Sequence, residues 1–199
     1  MAVRIFKEHY MINFENIEEK LNQTCNSEEW RSLVTKFLKA KKIYIIGNGG
    51  LHFTAAHAAT DCTRLIANKT CYSFDTSGYI TSCANDHGYE NVFIRWLETS
   101  VIEKEIDDSL VIGMSCSGNS KNITRCLSWA NSKGFKTFMI SGRKSKRLES
   151  RIEEIDLNCK FFHTVEVLCL ILFYQMIHEM GFECPTILKE VQRKDPWAM

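Results

Sequence analysis

One stretch close to residue 45 constrains the fold more than any other part of the chain. Apolar residues run up to Ile46 and are followed at once by Gly47, Asn48, Gly49 and Gly50. Small residues come next, so the pattern predicts a buried parallel strand, a tight turn and a helix with no spacer between them. Glycine lets a ligand approach the backbone, and the first N–H groups of a helix attract anions. We expect a phosphate at this turn, with a plain Gly-rich turn as the alternative.

A second stretch has the same organisation and strengthens the first interpretation. The apolar residues 110–114 predict a strand, and a polar loop leads directly into the next predicted helix. This loop carries the hydroxyls of Ser115, Ser117 and Ser120, with Cys116 between the first two. Hydroxyls and helix N–H groups together hold a phosphate without any net positive charge. The alternative is a polar helix cap without a ligand.

The remaining hydrophobic pattern alternates between strand and helix signals. Further strands are predicted at residues 71–74, 137–142 and 155–161, and helices at 6–21, 28–38, 79–84, 92–102 and 165–180, with a break at 85–88. Asn26 or Ser27 is the expected N-cap of the second helix. Such alternation predicts an α/β fold, a doubly wound, parallel, five-stranded sheet flanked by helices, with an N-terminal helical pair. Ligands of such sheets bind at the carboxyl ends of the strands, where both polar loops lie.

Length and composition predict one domain over residues 1–199. Residues 1–40 form the two helices that precede the first strand. The first of them has an apolar stripe that includes Phe6, Tyr10, Phe14 and Ile17, which suits a subunit interface or, equally, packing on the chain's own sheet. Residues 181–199 form a tail to which the sequence assigns no role.

Charge and cysteine content exclude several classes of function. The 25 basic and 24 acidic residues nearly cancel, which predicts neither a nucleic-acid nor a membrane partner. Nine cysteines, without a Cys-x-x-Cys pair or a secretory leader, predict reduced thiols in a cytoplasmic protein. The longest apolar run, residues 165–174, is too short to cross a membrane.

Several short motifs carry a resemblance to a known family. They are Gly47-Asn48-Gly49-Gly50 followed by His52, then His57, then Asn85-Asp86 with Gly88, and finally Ser115-x-Ser117-Gly118-Asn119-Ser120. In this order and spacing they resemble the sugar isomerase (SIS) domain family and, within it, the phosphoheptose isomerases. The resemblance extends to about Met180. It implies a homotetramer with sites between subunits that interconverts an aldose phosphate and a ketose phosphate for bacterial surface heptose.

The resemblance also implies which residues bind the phosphosugar. They are Asn48, Gly49, Gly50, Asp86, Ser115, Cys116, Ser117 and Ser120, and no nucleotide cofactor is expected. Cys116 lies beside a helix N-terminus that could make it reactive, although a small filler in the loop is the favoured interpretation. The basic residues 143–147 form either a phosphate contact or a solvated loop.

The catalytic groups of the family are matched only in part. Those isomerases carry His-x-x-x-Glu after the Gly-rich turn, and Gln with His eight residues later on a C-terminal helix, and these four groups bind zinc. Here the first pair is His57 and Asp61, whose spacing places both on one helix face. The C-terminal helix has no second histidine at that position, and His163 and Glu166 are the polar substitutes. We therefore predict a zinc site at His57, Asp61 and His163.

Isomerisation requires a base and an acid or electrophile. Asp61 is the predicted base, and His163 or His57 is the predicted acid. Each also has a structural interpretation, since His57 could serve packing, Asp61 could pair with Arg64, and His163 could cap the last helix. The alternative function is a non-catalytic SIS protein of the DnaA-initiator-associating type, which binds a phosphosugar or a partner protein.

Overall fold

The computed structural model describes residues 12–74 and 76–186. The strands are β1 (Lys42–Ile46), β2 (Thr70–Ser73), β3 (Ser109–Ser115), β4 (Lys136–Ser141) and β5 (Glu153–Asp156). The α-helices are α1 (Ile17–Cys25), α2 (Glu28–Lys39), α3 (Gly50–Leu65), α4 (Ser77–His87), α5 (Val92–Ser100), α6 (Lys121–Ser132) and α7 (Phe162–Glu179). The five strands form one parallel sheet with helices on both faces, which confirms the predicted fold class.

The strand order places the two polar loops side by side. The order is β2-β1-β3-β4-β5, so β1 and β3 are neighbours at the centre of the sheet. From β1 the chain continues to one side of the sheet, and from β3 it continues to the other. The loops that follow these two strands therefore flank a crevice at the carboxyl edge, which is where open α/β sheets bind their ligands.

Both faces of the sheet are buried in hydrophobic layers. Alternate residues of β1 separate into the two layers, with Ile43 and Ile45 facing α2, α3 and α7, and Tyr44 and Ile46 facing α4, α5 and α6. Burial on both faces explains why the sequence of β1 is an unbroken apolar run.

The N-terminal helices pack on their own chain. Trp30 and Leu33 of α2 are buried in the core, and Ile17 and Leu21 of α1 contact the same core. Ser27 is the N-cap of α2, since its hydroxyl accepts a hydrogen bond from the amide of residue 30. Packing on the chain's own sheet was one of the two predicted arrangements, and a subunit contact by this region stays a prediction.

Within the described residues, the helix predicted over 6–21 is present only from residue 17 onward. Residues 12–15 are not helical, α1 starts at Ile17, and Phe6 and Tyr10 lie outside the described residues. The reason is the side chain of Glu15, whose carboxylate accepts hydrogen bonds from the backbone N–H groups of Lys160 and Phe161. These bonds tie the segment before α1 to the residues that lead into α7.

Two other boundaries differ from the predicted ones. The strand predicted at residues 155–161 begins two residues earlier and ends at Asp156. Beyond it, two isolated backbone hydrogen bonds join the chain to the end of β4, from Leu157 to Ser141 and from Cys159 to Gly142. Helix α4 runs through residues 85–87 and ends at Gly88, whose φ of 82° few other residues adopt.

Two observations concern the predicted cytoplasmic location, namely the state of the cysteines and the character of the helices. All nine cysteines lie in the described part of the chain and are free thiols. None of the helices within residues 12–74 and 76–186 is both long and apolar enough to cross a membrane. A cytoplasmic location stays a prediction.

Candidate active site

The serine loop, residues 115–120, joins β3 to α6 and is held in a defined conformation. Gly118 has a φ of 70°, and a Cβ atom at this position would clash with the carbonyl oxygen of Arg143. Asn119 donates to the carbonyl oxygen of Ser117, and its backbone N–H donates to the Ser117 hydroxyl at 3.2 Å. The N–H of Ile123 already donates to the Ser120 carbonyl and to the Asn122 side chain. The N–H groups of the two helical residues before it are the donors that the loop presents at the positive dipole end of α6.

The three serines of this loop have different environments. Ser117 is exposed and Ser120 is half-buried, so both hydroxyls are accessible to a ligand. Ser115 is buried, with 2% of its surface exposed, and its hydroxyl lies 3.0 Å from that of Ser120. Ser115 therefore orients Ser120 rather than facing the solvent.

Cys116 does not have the environment of a reactive thiol. Burial, and secondarily the negative charge of Glu166, raise its pKa to about 11. The thiol therefore stays protonated at neutral pH. The favoured interpretation of Cys116 as a small filler in the loop agrees with this.

The basic segment, residues 143–147, lies directly against the serine loop. The backbone N–H of Lys146 donates to the Asn119 side chain at 2.9 Å, and the Arg143 carbonyl packs against Gly118. Arg143 and Lys146 have exposed side chains. The backbone of the basic segment is thus packed beside the serine loop, and its exposed side chains are compatible with the solvated loop that is the usual interpretation of such a run.

The Gly-rich turn, residues 47–50, is tied to the serine loop's helix through Asn48. The side-chain amides of Asn48 and Asn122 exchange two hydrogen bonds, of 2.9 and 2.8 Å, and the Tyr89 hydroxyl donates to Asn48 at 2.9 Å. Because these bonds occupy the Asn48 side chain, its role is to hold the two loops together. Gly49 is the N-cap of α3 with a φ of 57°.

The space over Gly50 is filled by another residue of the chain. A Cβ atom on Gly50 would clash with the carboxylate of Glu166, which comes from α7. Glu166 is half-buried and thus places a negative charge at the first turn of α3, where the sequence predicts a phosphate. A phosphate at this turn would have to displace that carboxylate, so the serine loop is the better anion site.

Asp86, a predicted phosphosugar-binding residue, lies on helix α4 rather than in either of the two loops. It is exposed in the last turn of α4, where the Asn85 amide donates to it at 2.9 Å. It lines a surface cleft together with His87 and Arg95. Its predicted role in phosphosugar binding stays a prediction.

His57 and Asp61 meet on one face of α3, as their spacing predicts, with His57 half-exposed and Asp61 buried. Nε2 of His57 lies 3.2 Å from Oδ2 of Asp61, and an Arg64 nitrogen donates to Oδ1 of Asp61 at 3.0 Å. The hydroxyl of Tyr174, from α7, lies 3.0 Å from both His57 Nε2 and Asp61 Oδ2. We call His57, Asp61 and Tyr174 the α3–α7 network.

His163 does not join this network within one chain. Its Nε2 donates to the carbonyl oxygen of Asn13 at 2.9 Å, and its ring stacks on that of Phe161. It lies eleven residues from Tyr174 on the same helix, or about 16 Å at 1.5 Å per residue. The predicted grouping of His163 with His57 is therefore wrong for a single protomer.

The predicted zinc ligands can be tested against this geometry. Across residues 12–74 and 76–186, His, Cys, Asp and Glu side chains form no group of three or more that could hold a metal ion. The side of His57 and Asp61 that faces α7 meets a tyrosine hydroxyl, which is not a typical zinc ligand. The residues of one chain do not fit the zinc site, and zinc binding stays a prediction.

Distance also separates the network from the Gly-rich turn. Asp61 lies eleven residues beyond Gly50, which corresponds to about 16 Å along α3. The Gly-rich turn and the network of one protomer therefore lie at different positions along this helix.

Sequence reasoning missed Tyr174. The residue lies in a helix that is apolar on most sides, where a tyrosine is normally expected to serve packing. Its partners are 113 and 117 positions away in the chain, so no local pattern signals the contact. The sequence indicates Glu166 as a polar substitute for the missing histidine of the C-terminal helix. Its position over Gly50 depends on how α7 crosses the sheet edge, which the sequence does not reveal.

The fold and the loops at its crevice define the class of protein as an SIS-type domain. No protein-family model matches the sequence. A phosphoheptose isomerase of Helicobacter pylori (strain Shi470) is 31% identical over 153 residues, which are 73% of this chain and 77% of that protein. A phosphoheptose isomerase of Hamiltonella defensa is 30% identical over 177 residues, or 79% and 81% of the two chains. This chain belongs to the phosphoheptose isomerase family.

Solved structures agree on the fold. Phosphoheptose isomerase GmhA from Neisseria gonorrhoeae superposes with a TM-score of 0.71 at 17% identity, covering 84% of this chain and 92% of that one. The NanR protein of Vibrio vulnificus, solved in complex with ManNAc-6P, reaches a TM-score of 0.58 at 15% identity, with 82% and 58% covered.

Proposed function

We propose that this protein is an aldose–ketose isomerase acting on sedoheptulose 7-phosphate, in the synthesis of bacterial surface heptose. The observation that carries the proposal is membership of the phosphoheptose isomerase family together with an intact serine loop at the sheet crevice. The loop supplies what the substrate class requires, namely a preformed site for a phosphate group.

The phosphate binds at the start of α6. The hydroxyls of Ser117 and Ser120 and the first backbone N–H groups of the helix donate hydrogen bonds to it. Arg143 and Lys146 supply positive charge from the adjacent basic segment. The carboxylate of Glu166 packs over Gly50, which makes the start of α3 the poorer of the two sites for an anion.

Asp61 is the base that moves the proton between the two reacting carbons. Its side chain is only 12% exposed and is oriented by Arg64 on one oxygen. The second oxygen faces His57, whose side chain is 51% exposed, so the network opens to solvent on the His57 side. A positioned carboxylate of this kind is a suitable general base for abstraction of a proton next to a carbonyl group.

One active site uses two protomers. Asn48 holds the Gly-rich turn against the helix that follows the serine loop, and Asp61 lies about 16 Å along α3 from Gly50 of that turn, so we infer that one heptose phosphate does not reach both the serine loop and the network of the same chain. The serine loop of one protomer and the network of another therefore form the site. The proposed assembly is the homotetramer that the sequence resemblance implies.

The test is turnover of sedoheptulose 7-phosphate by the purified protein, followed as aldose product. Asp61→Asn keeps the side-chain shape and removes the base, so kcat should fall by about 10²–10⁴-fold. Asp107→Asn, on the exposed surface, is the matched control and should turn over like the wild type. Assays with added zinc and with a chelator test the zinc prediction in the same series.

A protein that binds heptose phosphates without turnover would contradict the enzyme proposal. The second candidate, a non-catalytic SIS protein of the DnaA-initiator-associating type that binds a phosphosugar or a partner protein, would then apply. The observation that favours it is the separation of His163 from His57 and Asp61, which leaves the chain without a second histidine at the network.

A further inference from the structure

We propose that Tyr174 is a catalytic residue of the isomerase, and that its hydroxyl exchanges a proton with the substrate's oxygen atoms while Asp61 exchanges one with the carbons. This inference rests on the proposed function, because it names the acid that the reaction requires.

The geometry places the Tyr174 hydroxyl beside the base. The phenolic oxygen lies 3.0 Å from Oδ2 of Asp61 and 3.0 Å from Nε2 of His57. The tyrosine and histidine rings meet edge to face, with a centroid distance of 6.1 Å. A group that lies within hydrogen-bond distance of the base can contact the same two substrate carbons and their oxygens.

The hydrogen-bond chemistry fixes where the protons lie. A carboxylate only accepts hydrogen bonds, so the Tyr174 proton points to Oδ2 of Asp61. The same phenolic oxygen accepts from His57 when Nε2 carries the hydrogen. Tyr174 is therefore both a donor toward the base and an acceptor from a histidine, which allows it to give up a proton and take one back.

The Tyr174 hydroxyl is a donor in the resting arrangement, because its O–H is directed at Oδ2 of Asp61. When the proton leaves, the Nε2–H of His57 stabilises the negative charge on the oxygen.

The reaction balances with these groups alone. From the aldose, Asp61 removes the C2 proton while Tyr174 donates its proton to the carbonyl oxygen on C1, which gives an enediol, a protonated Asp61 and a Tyr174 phenolate. Asp61 then returns its proton to C1, and the phenolate takes the hydroxyl proton from the oxygen on C2. The product is the ketose, and both residues regain their starting forms.

The other polar neighbours of Asp61 are less suitable as the acid. Arg64 donates to Oδ1, but its guanidinium does not lose a proton in proteins. His57, one of the two predicted acids, contacts Oδ2 of Asp61 and faces the Tyr174 hydroxyl through the same Nε2, so it is placed to support the phenol. His163, the other predicted acid, is bonded to Asn13, about 16 Å along α7 from Tyr174. Tyr174 is the neutral hydroxyl that contacts the base in the described part of the chain.

The experiment compares Tyr174→Phe with the wild type in the sedoheptulose 7-phosphate assay. The substitution keeps the ring and removes only the hydroxyl. We expect kcat to fall by about 10²–10⁴-fold with KM changed less than threefold, because the phosphate site is untouched. Tyr72→Phe, an exposed tyrosine of β2, is the control and should behave like the wild type. Thermal melting of both variants checks that the fold is intact.

The outcomes separate the two proposals. A wild type that turns over, with an equally active Tyr174→Phe, overturns the role of Tyr174 and leaves the proposed function in place. A variant that raises KM and keeps kcat also overturns it, since the hydroxyl would then serve binding. If Tyr174→Phe melts early, Tyr174→His is measured instead, because it keeps a ring and an N–H donor. A folded Tyr174→His variant that does not recover kcat overturns the acid role. A wild type without turnover overturns both proposals.

Discussion

At the scale of single residues, the three serines of the serine loop have different roles. Ser117 and Ser120 can donate to a ligand, whereas Ser115 is buried and holds Ser120 through a hydrogen bond of 3.0 Å. A buried hydroxyl that orients its neighbour affects binding only through that neighbour. Phosphate binding by the loop therefore depends on direct contacts from Ser117 and Ser120 and on Ser115 as the residue that orients Ser120.

Replacing both accessible serines should weaken phosphosugar binding and leave the fold unchanged. Ser117→Ala with Ser120→Ala removes two hydrogen bonds to a charged group, each worth about 1.5–3 kcal/mol. Calorimetry with sedoheptulose 7-phosphate should show a loss of affinity of about 100-fold or more. Ser132→Ala, at the far end of α6, is the control. Unchanged affinity in the double variant would mean that the phosphate binds elsewhere.

Residue-scale prediction from sequence succeeded where contacts are local. The pairing of His57 with Asp61 follows from a spacing of four on one helix, and Ser27 as the N-cap follows from capping preferences. The contact of Tyr174 with Asp61 bridges 113 positions and depends on how α7 lies against α3. No periodicity carries that information, so a residue type alone could not reveal it.

At the scale of secondary-structure elements, the start of helix α3 is occupied by the protein itself. The carboxylate of Glu166 packs over Gly50 and so places a negative charge at the positive end of the helix. The start of α6, by contrast, has hydroxyls and a basic segment around it. Two similar strand–turn–helix units therefore differ in what they can bind, although their sequences predict the same site.

Removing the charge of Glu166 should strengthen phosphosugar binding. Glu166→Gln keeps the packing over Gly50 and removes the repulsion of the phosphate, so KM should fall on the order of tenfold with kcat retained. The exposed Glu183→Gln is the matched control. A collapse of kcat in Glu166→Gln, with Asp61→Asn still active, would instead identify Glu166 as the base.

Element boundaries were predictable where one signal dominated. The buried strands β1 and β3 and the helices after them follow from apolar runs and glycine turns. The start of α1 was not predictable, because Glu15 has left-handed backbone geometry and binds the backbone of Lys160, a partner 145 positions away. A contact across the fold overrides the local helical pattern at residues 12–16.

At the scale of the whole molecule, the distance between the two candidate regions determines the assembly. Asp61 of the α3–α7 network lies about 16 Å along α3 from Gly50 of the Gly-rich turn, which Asn48 holds against the helix after the serine loop. The proposed site therefore combines the serine loop of one protomer with the network of another. A monomer of 23.0 kDa in light scattering would therefore contradict the proposed site as well as the oligomer.

Mixed oligomers test this arrangement directly. One variant, Ser117→Ala with Ser120→Ala, lacks the loop and keeps the network, whereas Asp61→Asn lacks the base and keeps the loop. When the two are co-expressed and purified together, random assembly should restore about a quarter of the sites, because each complete site takes its loop from one variant and its network from the other. Co-expression of Asp61→Asn with Tyr174→Phe is the control, since both lesions lie in the same network and no site becomes complete. Activity in the first mixture, measured with sedoheptulose 7-phosphate and absent from the control, would establish a shared site, whereas two inactive mixtures beside an active wild type would place the whole site within one chain.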